Sequence, residues 1–144
     1  MSSRSRHEPP RLPTFFVDRC LGDRALADAL RAHGLSVETH KDHFAPDAQD
    51  ADWLTIVGRR RWVVLTKDDR IRYRQTERAA FMVAKVRAFV LTSGNLKADE
   101  MAEAYIKAIP VMARLLAREK GWFIAKVTRG GSVEMVSRQK LVIK

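Results

Sequence analysis

The sequence predicts an α/β fold in which helices cover both faces of a mainly parallel sheet. Three observations carry that prediction. Strand-like and helix-like segments alternate along most of the 144 residues. The strand-like segments are short, continuous apolar runs, the pattern of strands buried on both faces. Near the C-terminus two such runs are separated by Gly130-Gly131, which adds an antiparallel β-hairpin.

The elements follow in order. Residues 1–13 combine Arg4, Arg6 and Arg11 with Pro9, Pro10 and Pro13 and read as a flexible basic arm. The domain proper spans 14–137. Its first strand, 14–17, runs straight from Phe15-Phe16-Val17 into Asp18. Gly22-Asp23 leads into a helix to about residue 33, with Leu26 and Leu30 on its apolar face and Gly34 as its stop. Residues 35–40 form a less apolar strand, nearer a sheet edge, and 41–49 a polar loop. Asp50 is placed to cap a helix over 51–60 whose Trp53, Leu54, Ile56 and Val57 face inward.

The uncharged run 62–66 is the third strand, and Lys67-Asp68-Asp69 follows at once. A helix covers about 76–85 and a strand 87–92. The longest helix, about 98–120, carries Met101, Tyr105, Ala108, Ile109, Met112 and Leu116 as one buried stripe. Pro110 inside it predicts a kink. Residues 122–128 and 133–136 make the hairpin, and 138–144 a basic tail with some strand character.

A net charge of +10 and a pI of about 10.4 place the protein among binders of polyanions, with nucleic acid the favoured partner. No apolar run approaches the ~18 residues of a membrane span. The N-terminus also lacks the apolar middle of a signal peptide. A cytoplasmic protein without membrane contact is expected. The lone Cys20 leaves no internal disulfide and no cysteine-based zinc site, and it reads as a small core residue at a helix start. His40 and His43 read as exposed loop residues.

Chemistry is expected where strands of an open α/β sheet end. Asp18 lies just past the first strand, Asp68 and Asp69 just past the third. Asp50 and Asp52 open the helix that leads into the third strand. Carboxylates from three separated segments thus converge on one rim, an arrangement tolerated when a cation neutralises it. Oxygen-only ligands favour Mg²⁺ or Mn²⁺, which orient a water for in-line attack on a phosphodiester. Arg19, Lys67, Arg70 and Arg72 are placed to hold phosphates beside such ions, and Ser93 and Asn95 end the fourth strand at the same rim.

Each acid also has a purely structural role open to it: a helix cap for Asp50, a dipole partner for Asp52, a turn for Asp68-Asp69. Asp18, a charge directly after Phe-Phe-Val, has none. No serine or cysteine nucleophile has a base near it, and no glycine-rich phosphate loop is present. A phosphatase of the DxD type fails because position 20 is cysteine. A phosphate-accepting receiver fails because the fourth strand ends in Thr92-Ser93 rather than lysine.

Three motifs together resemble a PIN-like domain, and the hairpin fits the subgroup related to VapC toxins: Phe15-Phe16-Val17-Asp18, the acidic helix start 46–54, and Val63-Val64-Leu65-Thr66-Lys67-Asp68. The resemblance spans roughly 14–95. It implies a three-layer α/β/α fold and a metal-dependent ribonuclease, often the toxin half of a toxin–antitoxin pair. Its metal-site acids fall on Asp18, Asp50 and Asp68, with Asp52 or Asp69 as the neighbouring fourth. The family's glutamate from an earlier helix has no clear counterpart; Asp42 or Asp47 stands nearest. The resemblance further implies RNA as substrate and a cognate antitoxin that covers the rim. A homodimer is left open, and the competing reading is a PIN-like domain that binds nucleic acid or a partner protein and cuts nothing.

Overall fold

A computed structural model describes residues 12–22, 24–92 and 94–139. The basic arm, except its last two residues, and the tail from residue 140 lie outside the described residues. The strands are β1 (Phe15–Val17), β2 (Val37–Thr39), β3 (Val63–Thr66), β4 (Arg87–Leu91), β5 (Phe123–Val127) and β6 (Val133–Arg138). They form one sheet in the order β2-β1-β3-β4-β5-β6, parallel throughout except for the antiparallel β5–β6 pair.

The apolar runs are explained by what covers the sheet. Successive strand residues point to opposite faces. Phe15, Val17 and Leu65 therefore join a core beneath α1 (Ala25–Ala32) and α6 (Ala98–Arg118), together with Phe89, Tyr105 and Phe123. Phe16, Val64 and Val90 join a second core beneath α3 (Asp50–Arg59) and α5 (Gln75–Ala84), with Trp53, Leu54 and Phe81. Burying each such side chain contributes about 1.5–3 kcal/mol. Neither face can be polar, so β1, β3 and β4 carry no in/out alternation. The three-layer α/β/α arrangement with a mainly parallel sheet is the one the sequence predicts.

Several local expectations are corrected. A 3-10 turn, Arg19–Leu21, follows Asp18, and α1 starts only at Ala25. Cys20 lies in that turn outside the core; the residue as a whole is exposed, while its sulfur turns in against Asp18 and Thr66. The polar loop opens with a short helix, α2 (His40–His43), in which Thr39 Oγ1 accepts from the Asp42 N–H. Gln49 is the cap of α3, and Asp50 is its first residue. Ile56 is 37% exposed because it lies on the outer side of α3. A further short helix, α4 (Arg70–Tyr73), precedes α5. α6 runs unbroken through Pro110, which is exposed, so its missing N–H falls on the solvent side. β6 extends through Arg138, one residue past the expected domain end.

Candidate functional site

Parallel strands deliver their carboxyl ends to one rim, and β1 and β3 are direct neighbours there. Asp18 continues β1 in extended conformation, its N–H bonded to Leu65 O at 3.0 Å. The residue is only 9% exposed. Its Oδ2 accepts from Thr66 Oγ1 at 2.9 Å and from the Cys20 thiol at 3.5 Å. Burial, reinforced by the nearby Asp50 charge, holds the Asp18 carboxyl above its ordinary range despite those hydrogen bonds.

Thr66 is the hinge of this arrangement. Fully buried at the end of β3, its hydroxyl donates to Asp18 and accepts from the Asp68 N–H at 3.2 Å. One side chain thereby fixes both strand-end aspartates. Behind it the buried Tyr105 hydroxyl lies 3.0 Å from Thr66 O and 3.4 Å from Phe89 O, tying α6 to the ends of two strands. The Cys20 thiol lies 3.2 Å from Thr66 Oγ1, and the Lys67 N–H points to its sulfur at 3.5 Å. Burial of the sulfur beside Asp18 pushes that thiol up to about 11, so it stays neutral.

Asp50 reaches the same rim from the first turn of α3. Its Oδ1 accepts from Trp53 Nε1 at 3.0 Å and lies 3.6 Å from an Arg19 guanidinium nitrogen; Arg19 also donates to Pro46 O. Asp68 is gripped by Arg70, with Nε at 2.9 Å from Oδ1 and the terminal nitrogen at 2.6 Å from Oδ2. That charged fork holds the Asp68 carboxyl below its ordinary range.

The structure thus leaves Asp50 only a small electrostatic influence on Asp18 and links Asp68 to Asp18 through Thr66. It leaves Asp52 exposed on α3, and Asp69 pairs with Arg72 at 3.2 Å. Among the described residues no three Asp, Glu, His or Cys side chains stand gathered as a metal-binding group. Arg19 and Arg70 hold carboxylates; Arg72 donates to the Tyr73 hydroxyl at 2.7 Å. Lys67 is exposed at the rim. Asn95 is exposed in a left-handed turn after β4, and Ser93 lies outside the described residues.

Sequence reasoning quoted Thr66 only within the strand-end motif that leads to Asp68, and gave no site role to Tyr105 or His40. His40 is no exposed loop residue: it is 2% exposed, packed against Phe16, Phe44 and Trp53, and its Nε2 has no partner among the described residues. Burial and the Arg19 charge lower its pKa, so the ring is neutral at pH 7.

Residues 13–93, more than half the chain, match the model of the PIN-like domain family, and the chain belongs to that family. Asp18, Asp50 and Asp68 all fall within the matched stretch. The chain is also 30% identical over 120 residues, 81% of its length and 86% of the relative's, to a Mycobacterium tuberculosis H37Rv protein named "Putative ribonuclease VapC45". No solved structure matches it. Among the described residues no helix is long and apolar enough to cross a membrane.

Proposed function

We propose that this protein is a divalent-metal-dependent endoribonuclease that hydrolyses RNA phosphodiester bonds, acting in the cytoplasm as the toxin of a toxin–antitoxin pair. The observation that carries the reading is the buried Asp18 carboxylate, held by Thr66 at the end of β1 within the field of Asp50, in a chain of the PIN-like family. Asp18 is buried and has no ion pair among the described residues, which is the electrostatic situation a cation relieves. The donors are all carboxylate oxygens, a set that fits Mg²⁺ or Mn²⁺. Asp18, Asp50 and Asp68 would hold the ion, with Asp52 and Asp69 next in line. Bound there, it would supply charge neutralisation for the phosphodiester and the attacking water.

The chain's own residues divide the remaining work. Thr66 favours the ionised form of Asp18 by donating to it. Arg19 and Arg70, which neutralise Asp50 and Asp68 in the free protein, turn to substrate phosphates when those carboxylates take up metal. Lys67 adds cationic charge at the rim. A toxin requires silencing, so an antitoxin that covers this rim is the implied partner. RNA cleavage that needs Mg²⁺ or Mn²⁺, stops with EDTA and is lost in Asp18→Asn is the expected result. An unchanged cleavage rate in that variant rejects the assignment.

A second reading rests on the same arginines. Arg19 on Asp50 and Arg70 on Asp68 already neutralise two carboxylates from within, as a catalytically silent PIN-like domain would require. It predicts salt-sensitive RNA binding indifferent to EDTA, with no cleavage at any metal concentration.

A further inference from the structure

Apart from the carboxylate rim, a cavity of about 720 Å³ opens between α5 and the β5–β6 side of the sheet, lined by Tyr73, Arg78, Met82, Trp122, Ser137 and Arg138. Its chemistry is one-sided. No acidic side chain lines it, and two arginines do. The Arg78 side chain has no ion pair or hydrogen bond among the described residues, whereas Arg138 is held by Glu119 at 2.9 Å. Aromatic and apolar surface accompanies the charge: Tyr73 is 71% exposed and Met82 44%. Tyr73 is also pre-positioned, since the Arg72 guanidinium lies 4.7 Å from its ring centre and donates to its hydroxyl.

The groove is continuous in sequence with the rim. Asp68 stands two residues before the start of α4, and Tyr73 ends that helix, which at 4 residues spans about 6 Å. A polymer lying across the carboxylates is therefore carried by Arg70, Arg72 and Arg74 toward Tyr73. A second copy of this chain, itself at +10, is repelled by such a surface. Aromatic faces flanked by unpaired guanidinium match unpaired bases joined by phosphates.

We infer that this groove is a binding subsite for single-stranded RNA, in which bases beyond the cut stack on Tyr73 and the accessible face of Trp122 while Arg78 and Arg138 hold phosphates. The inference rests on RNA being the substrate, as proposed above, and assigns where the strand runs outside the carboxylate centre.

The test is fluorescence anisotropy of a labelled 12-nucleotide single strand on the full chain carrying Asp18→Asn, so that nothing is cleaved. Tyr73→Ala and Arg78→Glu are each expected to weaken binding about 10-fold or more, while Tyr73→Phe and Arg78→Lys retain it. Arg78→Glu should also flatten the salt dependence of log K by about one contact's worth. Arg114→Glu, on α6 across the sheet, serves as the charge control. Circular dichroism confirms folding, and Arg78→Gln replaces Arg78→Glu should that variant not fold.

Binding unaffected by Tyr73→Ala and Arg78→Glu overturns the inference. So does an equal loss in Arg114→Glu, or no RNA binding by the parent. If cleavage by the unmodified chain survives such a result, the ribonuclease reading stands without this subsite. Groove-dependent binding without cleavage sinks the ribonuclease reading alone.

Discussion

Thr66→Val removes one hydroxyl from the fully buried centre of the site and keeps the side chain's shape. The 2.9 Å bond to Asp18 and the 3.2 Å bond from the Asp68 N–H go with it, along with the weak 3.2 Å contact to the Cys20 thiol. A bond to a charged group contributes about 1.5–3 kcal/mol and a neutral one about 0.5–1.5 kcal/mol. The longer bond belongs at the low end of its range, so the net loss is about 2–3 kcal/mol. For 144 residues at about 2.1 cal/mol/K each, that lowers the melting temperature by about 7–10 °C. A functional signature accompanies it. The Thr66 hydrogen bond is the strongest influence opposing the burial that raises the Asp18 pKa. Its removal moves that pKa further up, and the acid limb of the rate–pH profile moves to higher pH with it. Calorimetry and a pH–rate series measure the two effects. A variant that melts within about 2 °C of the parent and keeps the same acid limb refutes the role given to Thr66.

Other outcomes follow from the same geometry. The folded-state pKa of Asp18 is raised, so its ionised form costs stability that appears as pH climbs from the ordinary value of 3.8 through the folded value. Asp18→Asn should therefore melt above the parent at pH 7, with the gap closing as pH falls toward 3.8; a gap that widens on acidification contradicts the burial argument. With its thiol pushed up to about 11, Cys20 should be alkylated by iodoacetamide at pH 7 roughly 20-fold more slowly than an ordinary cysteine. Labelling at the full rate would mean that the sulfur is not tucked beside Asp18. Tyr105→Phe should cost about 1–2 kcal/mol in urea titration, because it leaves the Thr66 and Phe89 carbonyls without their buried donor. A midpoint matching the parent's would show that α6 is not tied to the strand ends through this hydroxyl.

The parts of the molecule that the sequence revealed are those set by composition over several residues. β1, β3 and β4 are legible because both sheet faces are covered, which makes Phe15-Phe16-Val17 or Val63-Val64-Leu65 uniformly apolar. Asp18 and Asp68 stand out because a charge ends such a run. What stayed hidden depends on contacts between distant residues. Thr66 is legible as part of the strand-end motif, but its bond to Asp18 is not, and Tyr105 looks like an ordinary core residue until the fold sets its hydroxyl against Thr66 O. His40 sits beside Lys41 and Asp42 and so reads as loop; its burial comes from Phe16, Phe44 and Trp53. Arg19 and Arg70 were legible as rim cations, but their attachment to Asp50 and Asp68 is a matter of side-chain conformation that spacing does not encode.

The central claim is that Asp18, Asp50 and Asp68, from three separate segments, jointly hold one divalent ion. Mn²⁺ binding to the full chain, followed by electron paramagnetic resonance, tests it without relying on any RNA substrate. The account predicts one tight site in the parent and a loss of affinity of about 10-fold or more in each of Asp18→Asn, Asp50→Asn and Asp68→Asn. Mn²⁺ bound equally well by all three variants, or not bound by the parent at all, would contradict it.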